Sequence, residues 1–482
     1  MNLKLVVASM SLLGLVSCPV FAATDSNDMN TKASKYSTTQ TKVYHKKPHH
    51  KIVKQTTVQD EYKEVVSLPV QPAPVEMICT ISESSLVLDA ATQNVGRAIP
   101  NPCTPGWFNR ISVSGGMNVD LGKWGNRNTN LMGENYKRLS LNDVYLNVTA
   151  NINDWARAFA SISYNTATIN DPILSNTTTH YAEYDAAYSN NVLTGSSNAL
   201  QIEQAFLTVG NFEVSPVYFQ AGKQFQDFSR YEIHPITESL TQVMSKTLAT
   251  SAKLGFIASG FNGSVFIFDD PISKVGQSSN TTNYGVSLGF DMPTEQYGLS
   301  VGAAWLYNLM GVNDIAYNVN QFNQNNAALG TTGGYTSRKS GAAAYADFNT
   351  GPFYIGARYT TALQRFNVND LPSNGIADIV AGTGAPIADA DGARPWSAGL
   401  QAGYGFSCWD KTQNITIGYQ TSREAAGLNM PKHRWLGSYN IDAWKNTNFA
   451  IEWDHDTAYN VAHGGSGKVS NLVSLRAAVK FA

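Results

Sequence analysis

Charge is what this chain has least of. Only 15% of its 482 residues are Asp, Glu, Lys or Arg, against about 25% in ordinary soluble domains. The 34 basic and 36 acidic residues nearly cancel, so no nucleic-acid partner is expected. Cysteine is scarce as well, four in all and none in a Cys-x-x-Cys spacing, which leaves redox chemistry and thiolate zinc sites without support. Catalytic motifs lack a suitable setting: no Gly-x-Ser-x-Gly, His-Glu-x-x-His or phosphate-binding loop stands on suitable structure, and neither His433 nor His455 has a visible nucleophile partner. The chain therefore reads as a non-enzyme with no cofactor and no metal. The only long apolar run lies at the extreme N-terminus, which excludes a helical membrane protein. Glycine (39), tyrosine (23) and phenylalanine (20) fill the gap, within a hydrophobic content of 43%. That is ample for a large core and excludes wholesale disorder. Membrane β-barrels share this composition, as do some extracellular β-proteins.

The first 22 residues read as a secretory signal peptide. Lys4 opens it, Leu5 to Val16 is apolar, and Val20-Phe21-Ala22 offers a cleavage site. Leu15-Val16-Ser17-Cys18 is a competing lipoprotein-type box, disfavoured by Pro19. Residues 23–75 form a leader rich in Thr, Ser, Lys, Gln and Pro, with the block His45-Lys46-Lys47-Pro48-His49-His50-Lys51. With so little apolar material it is expected to stay mobile. The block is either a solvated tail, a weak metal ligand or a contact for anionic cell-wall polymer. Residues 76–106 are expected to fold locally in the periplasm or enter the barrel, with a short helix over 84–92. In an oxidising compartment Cys79 and Cys103 would pair, leaving Cys408 single.

From about residue 107 one pattern repeats. Ile111, Val113, Met117, Val119 and Leu121 alternate with Ser112, Ser114, Asn118 and Asp120. A period of two with a single apolar face is a strand signal. It predicts sixteen strands, at 111–121, 142–150, 156–164, 202–210, 217–225, 249–258, 264–268, 284–291, 297–309, 341–348, 353–362, 396–406, 414–421, 433–442, 448–456 and 472–481. Long and short connections alternate without exception. A sandwich has no reason to sort its loops this way. An outer-membrane barrel does, with short periplasmic turns, long outer loops and an even strand number. The fold class is thus an all-β, sixteen-stranded antiparallel transmembrane β-barrel over 107–482, in the bacterial outer membrane with both termini in the periplasm. Asn262-Gly263, Asn349-Thr350-Gly351 and Asp410-Lys411 supply turn chemistry. Trp155, Trp409 and Trp444 would mark the periplasmic rim, and Tyr164, Trp305, Trp396 and Trp435 the outer one.

Extending the alternation places Arg157, Lys253, Arg358, Arg434, Arg476 and Lys480 on the inward face, with Asp120, Asp143, Asp347, Glu452 and Asp454. Two readings of the basic residues stand side by side: ion pairs with inward acids on neighbouring strands, or a stripe that helps anionic solutes through a water-filled channel. The loop near 226–248 is rich in aromatic and ionisable groups, so Arg230, Tyr231 and His234 are candidates for a constriction. The same loop could equally pack on its neighbours.

The run Gln204-Ala205-Phe206-Leu207-Thr208-Val209-Gly210, then Val217 to Phe225 with its Gly222-Lys223, resembles the paired strands of porin-type proteins. With His234-Pro235-Ile236-Thr237-Glu238-Ser239-Leu240-Thr241-Gln242 downstream, the chain more specifically resembles the siderophore-porin family of bacterial outer membrane proteins, which includes the legiobactin receptor of Legionella and related iron-uptake proteins of Francisella. That resemblance implies a barrel of about sixteen strands taking up a ferric siderophore without energy coupling from the inner membrane. The implied partners are the siderophore and the surrounding lipid and lipopolysaccharide. A general anion-leaning porin and a structural or adhesive barrel are the alternatives.

Overall fold

The computed structural model describes residues 21–22, 111–125, 136–164, 200–230, 236–277, 282–293, 297–325, 334–373 and 391–481. The leader, the 76–106 segment with Cys79 and Cys103, and the candidates Tyr231 and His234 lie outside the described residues.

Sixteen strands run antiparallel around one ring: β1 Ile111–Gly125, β2 Tyr136–Asn151, β3 Ala156–Tyr164, β4 Leu200–Val209, β5 Val217–Phe225, β6 Leu248–Ala258, β7 Phe261–Asp269 and β8 Thr282–Pro293, then β9 Tyr297–Leu306, β10 Gly341–Thr350, β11 Phe353–Ala362, β12 Trp396–Cys408, β13 Lys411–Arg423, β14 His433–Trp444, β15 Thr447–Thr457 and β16 Val469–Phe481. Each pairs with the next, and β16 returns to β1 through Asn471↔Gly125 to Phe481↔Gly115. Phe21 and Ala22, at the end of the expected signal peptide, pair with Ser407 and Phe406 in addition to these sixteen strands. Closure has a physical cause. In hydrocarbon an open N–H or C=O costs several kcal/mol, about the worth of a whole buried side chain, so a spanning sheet cannot keep a free edge.

The side chains invert the usual order of a soluble protein. Along β1, Ser112, Ser114, Asn118 and Asp120 are buried while Val113, Met117 and Leu121 are exposed. β16 does the same: Ser470, Ser474 and Arg476 are buried, and Leu475, Val479 and Phe481 are exposed. The outward row meets lipid tails and the inward row meets other polar groups. Trp155, Trp409 and Trp444 stand exposed at the short-turn end and Trp435 at the long-loop end, as interfacial anchors do. The barrel is therefore an outer-membrane one.

The structure moves several boundaries. The seventh strand begins at Phe261, because Ser259 (φ 51°) and Gly260 (φ 85°) make the two-residue turn. Asn262 and Gly263 lie within the strand rather than in the turn. Both central residues of such a hairpin need positive φ, which Asn-Gly advertises but Ser-Gly also meets. Likewise Trp409 (φ 54°) and Asp410 (φ 55°) turn the chain, and Lys411 already belongs to β13. Asn349 and Thr350 are strand, and the turn starts at Gly351 (φ 51°). β9 stops at Leu306 instead of 309, because the Asn308 side chain accepts from the Met310 amide and opens a short 3-10 turn. Cys408 is also a correction: it is disulfide-bonded rather than single, to a partner outside the described residues.

Candidate functional site

The segment between β5 and β6 lies inside the ring. Asp227 accepts from Lys253 Nζ on β6 (2.7 Å) and from Ser264 Oγ on β7 (2.6 Å). Arg230 reaches further, with Nη1 and Nη2 at 3.2 and 3.3 Å from the Asp291 carboxylate on β8 and Nη1 at 3.0 Å from Ser300 Oγ on β9. Its guanidinium carbon sits 4.6 Å over the Tyr345 ring of β10, and its carbonyl accepts from Arg358 Nε of β11 at 2.9 Å.

After residues 231–235 the chain is at the opposite wall. The amides of Ile236 and Thr237 donate to Glu452 of β15 at 3.1 and 2.6 Å, and the Thr237 hydroxyl donates to Asp454 at 2.7 Å. The Glu238 carbonyl accepts from Arg434 of β14, and the Leu240 amide donates to Gln420 of β13. A segment that touches β6 to β11 through Asp227 and Arg230, and β15, β14 and β13 through residues 236–240, crosses the lumen. Hydrogen bonds to ionised groups are worth about 1.5–3 kcal/mol each, and several hold this crossing in place.

Of the expected basic residues, Lys253, Arg358, Arg434 and Arg476 are buried and meet acids. Arg358 pairs with Asp347 (2.7 Å), Arg434 forms a fork to Asp456 (2.8 and 2.9 Å), Arg476 forms a fork to Asp120 (2.7 and 2.6 Å), and Lys253 pairs with Asp227. These follow the ion-pair reading more than the basic-stripe reading. Arg157 donates to Asn151 Oδ1 at 2.5 Å, and Lys480 is exposed at the last strand's end. Of the inward acids, Asp143 pairs in register with Asn118, and its side chain is outside the described part. Asp227, Asp291 and Asp456 were not expected to matter. Asp456 was legible from the same alternation that exposed Glu452 and Asp454. Asp291 was not, because its partner is on a loop.

The outer half of the lumen holds an apolar cluster. Helix α1 (Leu240–Val243), helix α2 (Asn313–Asn325) and the segments around Phe366, Leu371 and Met430 bury Leu240, Met244, Val312, Ile315 and Val319 together. Asn313 ties α2 to the start of β6: its Oδ1 accepts from the Leu248 amide at 2.7 Å. Two buried carboxylates stitch the outer loops to one strip of chain. Asp270 accepts from Asn283, Asn308 and the Tyr335 hydroxyl (2.7, 2.6 and 3.0 Å). Asp370 accepts from the Thr336 amide, the Thr336 hydroxyl and the Ser337 amide (2.6, 2.8 and 3.1 Å). Burial pushes Asp270 up to about 6 against the pull of those donors, and it raises Asp370 too. Among the described residues no group of three or more His, Cys, Asp or Glu is placed to hold a metal.

No family model matches the chain. It is 26% identical over 421 residues to the UPF0422 protein lpl2888 of Legionella pneumophila (strain Lens), covering 81% of this chain and 69% of that protein. A UPF0422 protein of Coxiella burnetii is 26% identical over 265 residues, 54% of this chain and 51% of that one. Among solved structures, the outer membrane channel DcaP of Acinetobacter baumannii matches 77% of this chain and 97% of its own with a TM-score of 0.46 and 11% identity. Salmonella typhi OmpF, in complex with daunomycin, matches the same shares with a TM-score of 0.47 and 12% identity.

Proposed function

We propose that the protein is a passive diffusion channel for small hydrophilic solutes across the outer membrane, narrowed by the segment that crosses its lumen. The observation that carries this reading is the anchoring of Ile236 and Thr237 on Glu452 at the far wall from Asp227 and Arg230. A lumen lined by polar side chains and crossed at one level by a pinned segment has the elements of a size filter. Uptake of a ferric siderophore is a finer reading, supported by the sequence resemblance. The ion-paired arginines lend it little, since a neutralised guanidinium is a poor handle for a polycarboxylate. Planar-bilayer recordings of the purified full chain test both. Stepwise conductance is expected. If no steps occur under any voltage, the channel reading fails. Steps that a ferric polycarboxylate chelate blocks saturably would restore the siderophore reading, and indifference to the chelate would remove it.

A further inference from the structure

Above the outer ends of β11, β12 and β13 three arginines gather around one carboxylate. Arg365 Nη1 lies 2.8 Å from Glu424 Oε2, the Arg394 amide donates to the same oxygen at 2.8 Å, and Arg423 Nε is 3.9 Å from Glu424 Oε1. Arg365 also donates to the Gly392 carbonyl, and Arg394 Nε donates to the Ala362 carbonyl that ends β11. Arg423 is 69% exposed and Arg365 51%, while Glu424 is 18% exposed. The acid is tucked under and the cations face out.

Among the described residues the charge there does not balance. Lys432 is exposed and tied to the top of β13, its carbonyl accepting from the Ser422 amide. The other described acids of the adjoining loop are Asp391, which is exposed, and Asp370, which is buried and turned to Thr336 and Ser337. Among the described residues, four cations thus share an open rim with Glu424 and Asp391.

The position says what would neutralise them. Arg423 pairs in register with Trp396, which is within 6.1 Å (ring centroids) of the exposed Tyr359, and Tyr419, four residues below Arg423, packs at 4.6 Å against the exposed Trp435. These rings belong to the lipid-facing row, and aromatics of that row sit at headgroup level. Arg423 alternates with the buried, inward Ser422 and so points to the lipid side rather than into the lumen. Guanidinium groups match phosphate oxygens in forked geometry and lose less hydration than an ammonium does.

We propose that Arg365, Arg394 and Arg423, preorganised by Glu424, form a binding site for the phosphate groups of an outer-leaflet glycolipid. The acyl chains would lie along the Trp396–Tyr359 and Tyr419–Trp435 surface. The site rests on the outer-membrane placement of the barrel and is independent of what the lumen conducts.

The test uses the full chain folded in detergent, titrated with bisphosphorylated lipid A and with the same lipid dephosphorylated, read by native mass spectrometry. At least tenfold tighter binding of the phosphorylated form is expected, lost in the R365Q/R423Q double variant and partly restored in R365K/R423K. Inorganic phosphate at millimolar concentration is expected not to compete. Equal binding of the two lipids, or full binding by the double variant, overturns the site. Effective competition by inorganic phosphate overturns the lipid assignment in favour of a soluble anion. Heat-modified electrophoretic mobility, which reports the closed barrel, checks that each variant is folded.

Discussion

Thr237, on a segment that starts at the β5 wall, donates its amide to Glu452 at 2.6 Å across the lumen, and its hydroxyl reaches Asp454 two residues along. A loop residue and a strand residue 215 positions apart thereby fix where the segment meets the barrel wall.

Removing the anchor is expected to open the channel. Glu452→Ala deletes the acceptor of two amide hydrogen bonds, at about 1.5–3 kcal/mol each, and leaves the Ile236 and Thr237 amides in need of water. Larger and noisier single-channel steps should result. Steps of unchanged size and lifetime would show that the crossing does not limit passage.

The Arg358–Asp347 pair is expected to be structural. Arg358 is buried and also holds the Arg230 carbonyl. Asp347→Ala strands that charge, and breaking a buried pair from one side costs about 3–5 kcal/mol. Urea unfolding in micelles should show a clear loss for Asp347→Ala, recovered in part by adding Arg358→Met. Full stability of the single variant would refute the assignment.

Acid should tighten the outer loops. The Asp270 carboxyl is raised to about 6 chiefly by burial, so the folded state holds its proton more firmly than the unfolded chain, whose value is about 3.9. Loop stability from this group is therefore full below about pH 4 and falls as pH rises to about 6, by no more than about 3 kcal/mol. Above that it is flat. Amide protection factors around Tyr335, corrected for the intrinsic pH dependence of exchange, should rise between pH 6 and pH 4, and Asp270→Asn should flatten the profile. A wild-type profile with no such slope would contradict the burial of an ionisable Asp270.

Gly222 is expected to resist replacement. Its φ is 136°, and a Cβ there would strike the Ala205 carbonyl oxygen and the Phe206 Cα of β4. Strain of this kind costs about 1–3 kcal/mol. Gly222→Ala should lower the temperature at which the barrel loses its compact gel mobility, whereas Gly351→Ala, which meets open space at a φ of 51°, should lower it less. Equal shifts would place the effect in φ alone.

The sixteen strands were legible because lipid imposes a rule with a period of two. Val113 and Leu475 must be apolar, while Ser114 and Ser474 need not be, and that difference is written locally. Turn positions were less legible: Asn262-Gly263 looks like a hairpin turn, yet the chain turns earlier, at Ser259-Gly260. Inward parity found Arg434 and Arg476. It also placed Asp120 inward but did not match it to Arg476, which is 356 residues away and meets it only because the ring closes there.

By itself, then, the sequence settled that the barrel strands alternate between a lipid-facing and a lumen-facing row, because each strand answers to its solvent one residue at a time. Which acid neutralises which arginine, where the 226–247 segment lands and how the outer loops share a core are matters of distance between remote positions. Only the folded ring, by bringing β1 beside β16 and Thr237 beside Glu452, decided them.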